Sequence, residues 1–208
     1  GIDKVHFGLE AAVSIPIYHT LALNGAVSWG QYTYDSNPYY LQTQDNSGDI
    51  VSDGYVYWKD FRVESTPQTA VNVGLSWRSN NNIYLSADFN YYNNMYLSMS
   101  PIYRTDAVIT GGMAPGDIEH LRRQEKFDSA YTLNASIGKN WYIHRKYTLG
   151  FSLDVKNILN NQDIKTGGYE QTRLSKNTET TVTTYQAFDS KYFYMFGTTY
   201  YLNLYFRF

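Results

Sequence analysis

The sequence predicts an all-β chain of long antiparallel strands, each apolar on one side and polar on the other. Three observations carry this. From Tyr192 to Phe208 the residues alternate: Tyr194, Phe196, Thr198, Tyr200, Leu202, Leu204, Phe206 and Phe208 fall on one side, and Gly197, Thr199, Tyr201, Asn203, Tyr205 and Arg207 on the other. A period of two is the mark of a strand, because successive side chains point to opposite faces. The same period recurs in six stretches upstream. The third observation is compositional: 17% of residues are aromatic, 22 of them Tyr, against only 17% charged.

Taken in order, residues 4–15 set Val5, Phe7, Leu9, Ala11, Val13 and Ile15 against Lys4, His6, Gly8, Glu10, Ala12 and Ser14. A short connection at 16–20 leads to residues 21–34, with Leu21, Leu23, Val27 and Trp29 opposite Ala22, Asn24, Ala26 and Ser28. A long polar segment, 35–66, contains the turn chemistry DNSGD and SDG. Its part 55–64 reads as a strand extension. Strands are then expected over 67–78, 83–97, 127–141 and 147–157, with the final strand over 192–208. Pro67 stands at a strand's first residue, where proline is tolerated.

The connections alternate short, long, short, long, short, long. Outer-membrane β-barrels have short periplasmic turns and long extracellular loops. The final alternating run also exceeds the usual strand of soluble proteins, while a membrane strand needs about 9–11 tilted residues. The expected fold is therefore an antiparallel transmembrane β-barrel segment of about seven strands. Seven is odd, and single-chain bacterial barrels have even counts. An open sheet edge is not allowed in lipid. The sheet is thus expected to continue into strands outside this sequence, with residues 1–208 forming the C-terminal portion of a larger barrel.

Charge supports the assignment of faces. Lys139, near a rim, is the one charge on the apolar sides, where chance at 17% would place about six. Trp29, Trp77, Tyr91, Trp141 and Tyr142 lie toward strand ends, as interfacial girdles require. Mean hydropathy is −0.47, and no run approaches the length of a membrane helix. With no Cys, disulfides and thiolate chemistry are excluded. A net charge of −2 gives no electrostatic case for nucleic acid.

Certain segments resemble a known family. Asn157-Ile-Leu-Asn-Asn161, after a strand beginning Leu149-Gly-Phe-Ser-Leu-Asp-Val, resembles the segment near the C-terminus of TonB-dependent outer-membrane receptors. Thr66-Pro67-Gln68 and Tyr91-Tyr92-Asn93 look like that family too. Thr166 to Arg173, with the later Lys191-Tyr-Phe-Tyr-Met, is similar to the Bacteroidetes, SusC-like branch. The resemblance implies a 22-stranded barrel with an N-terminal plug in the outer membrane of a Gram-negative cell. It implies import of a large nutrient (glycan, peptide or metal chelate) energised by TonB through the plug. A SusD-type surface lipoprotein and the barrel insertion machinery are the further partners it implies. Plug and earlier strands are missing from these residues. In such barrels an alternating aromatic C-terminus acts as the insertion signal, here Tyr200, Leu202, Leu204, Phe206 and Phe208. The alternatives are a structural or adhesive outer-membrane barrel without TonB coupling, and a soluble all-β carbohydrate-binding module.

His6, His19, His120 and His144 show no metal-ligand spacing. Glu10, Asp88 and Asp154, with Lys4, Lys156 and Arg207, face the polar side and read as an ion-pair lattice. Gly111-Gly112 and Gly167-Gly168 precede no Lys-Ser/Thr, so they are not phosphate loops. Asp45, Asp49 and Asp53 depart from the EF-hand pattern and read as a solvated loop. No catalytic residue, metal or cofactor is expected. The candidate substrate-binding residues are the loop aromatics Tyr39, Tyr40, Tyr55 and Trp58, beside Tyr57. Stacking on a ligand and packing within a hairpin both fit them.

Overall fold

The structure, a computed structural model, describes residues 1–110, 119, 123–144, 146–177 and 184–208. In chain order its strands are β1 (Lys4–Tyr18), β2 (Leu21–Tyr34), β3 (Tyr39–Thr43), β4 (Ile50–Tyr55), β5 (Thr69–Arg78), β6 (Ile83–Asn93), β7 (Ala130–Ile143), β8 (Tyr147–Lys156), β9 (Lys165–Tyr169), β10 (Leu174–Asn177), β11 (Thr184–Ala187), β12 (Lys191–Tyr194) and β13 (Thr199–Arg207). A 3-10 turn, Ile102–Arg104, and a short helix, α1 (Asp106–Thr110), lie between β6 and β7. The fold is all-β. Seven strands form one antiparallel sheet in the order β1-β2-β5-β6-β7-β8-β13. The pairs β3-β4, β9-β12 and β10-β11 make three small separate sheets within the long connections.

The register lines up the expected apolar positions. Leu9 stands opposite Trp29, Val27 opposite Val71, and Val73 opposite Phe89. Phe89 faces Leu133, Ile137 faces Leu153, and Leu202 faces Leu153 from the other side. Directly opposed residues share a face, so one apolar face crosses all seven strands. That face is open: Leu9 is 68% and Leu204 71% exposed. Among the described residues no second layer packs on it.

The other face carries a ladder of polar contacts across strands. Ser14 Oγ donates to Asn24 Oδ1 (2.8 Å), and Asn24 Nδ2 to Ser76 Oγ (3.1 Å). Asn72 Nδ2 donates to Asn90 Oδ1 (2.8 Å). Tyrosine rings lie over glycines of the next strand. A Cβ on Gly138 would strike the Tyr84 ring, and one on Gly150 the Tyr205 ring, so these two glycines make room for the rings.

The buried core sits at one end of the sheet, among the long connections. Met95, Leu97 and Phe127 form its centre, with Tyr92 and Tyr192 packed against them. Val56, Met99, Tyr103 and Ile164 are buried in the same connections, and Tyr34 is buried at the adjoining end of β2. We call this end the cap. Among the described residues, the other end has the tight turns His19-Thr20 and Ser79–Asn82 and the short link from β7 to β8.

Four expectations are corrected. The run 192–208 is not one strand: β12 leaves the main sheet to pair with β9, and the chain breaks at 195–198 before β13. The cause is Asn157, whose Nδ2 donates to Phe196 O (3.0 Å), while Thr198 Oγ1 donates to Asn157 O (2.9 Å). These bonds replace ladder bonds and hold the break. The strand extension is the hairpin β3-β4, not 55–64; residues 61–63 instead run irregularly beside the end of β2, with Tyr34 N bonded to Phe61 O. β6 ends at Asn93 because Asn94 takes a left-handed φ of 57°, which turns Met95 and Leu97 into the core. β5 and β7 start two and three residues later than expected, since Pro67-Gln68 and Phe127–Ser129 belong to the cap.

Candidate functional site

The cap is built from three connections, 35–68, 94–129 and 157–198, whose described parts interlock. Gln124 clamps the first to the second: Arg62 N donates to its Oε1 (2.8 Å), and its Nε2 donates to Arg62 O (2.7 Å). Arg104 joins the second to the third. Its side chain is 2% exposed, and it forms a bidentate pair with Glu170 at 2.5 and 2.9 Å. The same guanidinium lies 5.3 Å from the Phe61 ring centre, tying in the first connection. Glu170 Oε2 also accepts from Ser100 N at 2.8 Å.

A second clasp gathers around Glu125. Lys165 Nζ lies 3.0 Å from its Oε1, and Tyr192 OH donates to its Oε2 at 2.8 Å. The ammonium rests 3.8 Å from the Tyr192 ring centre. Burial pulls the lysine pKa down, but the hydrogen bond and charge of Glu125 outweigh it, and the net shift is upward. Tyr192 is raised by burial first and by its bond to Glu125 second.

The clamp at Phe61 and Arg104 forms one wall of a cleft of about 560 Å³ lined by Asn37, Tyr57, Lys59, Phe61, Arg104, Asp106 and Ile109. Asn37 Oδ1 accepts from the backbone N–H groups of Trp58 and Lys59 (3.0 and 2.9 Å), which sets the loop entering the cleft. Tyr57 OH donates to Asp106 Oδ1, and Tyr55 N donates to Asp106 Oδ2 at 3.2 Å. The bond to Asp106 is the main cause that pushes the Tyr57 phenol above its ordinary pKa. Aromatic faces, an amide, an ammonium and a carboxylate thus meet in one concavity, the usual make-up of a binding site.

The candidate loop aromatics do not gather there. Tyr39 and Tyr55 oppose each other on the outer face of the β3-β4 hairpin, ring centres 5.3 Å apart. Tyr39 OH donates to Asp53, so Asp53 is part of the hairpin. Tyr40 is on its inner face, bonded to Ser52 Oγ at 2.6 Å. Trp58 packs on Tyr34, ring centres 5.0 Å apart. Only Tyr57, of the aromatics singled out, lines the cleft. Asn37, Lys59, Phe61, Arg104, Asp106 and Ile109 were missed. They come from two connections without periodicity, where no residue pattern in the sequence marks them.

Tyr200, Leu202, Leu204 and Phe206 share the apolar face of β13, opposite Val155, Leu153, Phe151 and Leu149. Phe208, 95% exposed, stacks on Phe206 at 6.3 Å. Among the described residues no three His, Cys, Asp or Glu come together as a metal site. His120 and Gly111-Gly112 lie outside the described residues. No described helix is long and apolar enough to cross a membrane, which says nothing of strands.

Three of the segments that carry the resemblance, at Thr66–Gln68, Tyr91–Asn93 and Asn157–Asn161, lie at strand ends and act as locks. Gln68, 3% exposed, takes Tyr32 N on its Oε1 (3.3 Å) and donates Nε2 to Tyr32 O (3.0 Å), replacing a missing strand neighbour. Asn93 Nδ2 donates to Tyr91 OH, and Asn94 Nδ2 to Thr69 Oγ1 (3.1 and 3.0 Å). Asn157 is the third. A comparison with known protein families finds no family model that matches the chain, and a comparison with curated proteins finds no match.

Proposed function

We propose that this chain is a stretch of outer-membrane β-barrel wall with its extracellular cap, the C-terminal part of a TonB-dependent transporter that imports a large nutrient. The observation that supports this reading best is the open apolar face across seven strands, combined with a core confined to the loop end. A soluble sandwich buries one face of each sheet; this sheet leaves its apolar face to be covered by something apolar. The dimensions suit lipid. On β7 the aromatic positions Tyr131 and Trp141 are ten residues apart. At about 3.4 Å per residue that is about 34 Å along the strand. A tilt near 40° reduces it to about 26 Å, close to the roughly 25 Å apolar band of such barrels.

On this reading β1 and β13, each with one neighbour in the sheet, pair with further strands of a barrel that is probed most simply as a whole. The polar face lines a lumen. The cleft beside Phe61 and Asp106 is where solute meets the cap, and the step is binding followed by translocation, with no covalent chemistry. A surface lipoprotein of the SusD type would dock on the cap, and the β13 face Tyr200 to Phe208 would be read by the insertion machinery. The test uses whole cells making the full polypeptide. Added protease should cut in the turn near Gln44–Asp49 and spare Ser79–Asn82. Uptake should stop when TonB is removed. Cutting at both places without lysis would overturn the membrane topology. Normal uptake without TonB would favour the adhesive or structural barrel.

A further inference from the structure

Charge is distributed very unevenly between the two ends of the sheet. The short-turn end carries Arg78, Lys139, Lys146 and Arg207, and no Asp or Glu falls within 14–34, 65–87, 138–153 or 190–208. The chain as a whole has 19 acidic residues against 17 basic ones, so the acids are displaced toward the cap and mid-strand. Lys139 is the one charged side chain on the apolar face of the seven strands. It stands in the row between Ile83 and Phe151. Its Nζ lies 5.2 Å from the Trp141 ring centre, one step nearer the turn on the same face. Lys146 Nζ lies 5.4 Å from the Tyr147 ring centre, and Tyr147 stacks on Phe206 at 5.7 Å. Among the described residues neither ammonium pairs with a carboxylate.

A lysine on a lipid-facing row is costly unless its head reaches the interface. Here aromatic partners flank both ammonium groups at the turn end, and no Asp or Glu among the described residues pairs with either. The geometry points to a binding rim for anionic phospholipid, in which Lys139 and Lys146 hold the headgroup phosphate while Trp141 and Phe206 pack against its acyl chains. This rests on the membrane reading above and adds a ligand to it. The chosen occupant is the phosphodiester of a membrane lipid, because only an amphiphile can satisfy cations and an apolar wall together. Each cation near an anionic headgroup contributes about a fivefold preference.

The experiment measures quenching of Trp fluorescence by brominated lipids in the full polypeptide reconstituted in bilayers. Brominated phosphatidylglycerol is compared with brominated phosphatidylcholine, with Trp29, Trp58, Trp77 and every tryptophan outside residues 1–208 replaced by Phe to leave Trp141 as reporter. We expect Trp141 to prefer the anionic lipid by about fivefold or more. The preference should fall toward one in Lys139→Gln/Lys146→Gln, and remain in Lys176→Gln. Inorganic phosphate at millimolar concentration should not compete. Equal quenching by both lipids, a preference that survives the double substitution, or loss of preference on adding phosphate would overturn the lipid rim and leave the membrane reading standing. No quenching by either lipid would overturn the membrane reading itself.

Discussion

Placing an arginine on each face of the sheet separates a lipid-facing wall from a lumen-facing one. Leu153 sits between Ile137 and Leu202 on the apolar face, midway along β8. Leu153→Arg would put a guanidinium near the bilayer midplane, at a cost of about 2–4 kcal/mol. At 1.4 kcal/mol per tenfold, that lowers the folded-to-unfolded ratio about 30- to 700-fold. Ser136 is one row away on the polar face, opposite Ser86 and Asp154. Ser136→Arg would meet water and the Asp154 carboxylate, so its effect should stay within about 0.5 kcal/mol. Asn134, although polar-facing, is unsuitable as a control because its Oδ1 accepts from Asn157 N at 2.9 Å. The assay is urea-driven unfolding from vesicles, followed by heat-modifiable gel mobility of the full polypeptide. Equal losses for the two substitutions, or a larger loss for Ser136→Arg, would refute the assignment of faces.

The other expectations concern the cap and its locks. Asn157→Ala removes the Asn161 and Phe196 bonds and leaves a left-handed residue without its favoured side chain; it should cost about 2–4 kcal/mol, read as fast hydrogen exchange around Thr198, and unchanged exchange there would count against the lock. Glu170→Ala leaves the Arg104 guanidinium buried and unpaired, with an expected loss of about 3 kcal/mol; limited proteolysis should open the cap while the wall keeps its gel mobility. Lys165 and Tyr192 both have raised pKa values in the folded cap, and both are favoured there in their protonated forms. Their contribution is therefore complete below the ordinary values near 10 and lost as pH rises above them. Cap proteolysis should rise above about pH 10, and Glu125→Gln should flatten that rise; a cap that resists protease equally at pH 8 and pH 11 would contradict it.

The wall was legible in the sequence because a period of two fixes which residues share a face, and the register then follows from matching apolar rows. The observed Leu9–Trp29 and Leu204–Phe151 pairs required nothing more. The cap was not legible. Its strand-like runs 94–97 and 192–198 are apolar and alternating, but Asn94 and Asn157 divert them through side-chain bonds to distant residues, the Thr69 hydroxyl and the Phe196 carbonyl. The resembling segments were visible as residue strings, yet their role as strand-end locks depends on partners tens of residues away. The cleft was hidden for the same reason: Phe61 and Arg104 meet only once two aperiodic connections have folded together. The loop aromatics misled because a Tyr in a hairpin and a Tyr in a binding wall look alike in sequence.

The interlocked cap also says something about the order in which the molecule forms. Three of the six pairings in the sheet, β1-β2, β5-β6 and β7-β8, are hairpins whose turns are as short as His19-Thr20; they close small loops and form early. The cap's ties span much longer stretches: 62 residues for Arg62 with Gln124, 66 for Arg104 with Glu170, and 70 for Tyr103 with Arg173. None can close until the strands between them have settled in register. A slip of one residue would turn every side chain of a strand to the other face and carry Gln68, Asn94 or Asn157 away from its lock. The cap is thus a proofreader of the wall, completed last and only over correctly paired strands.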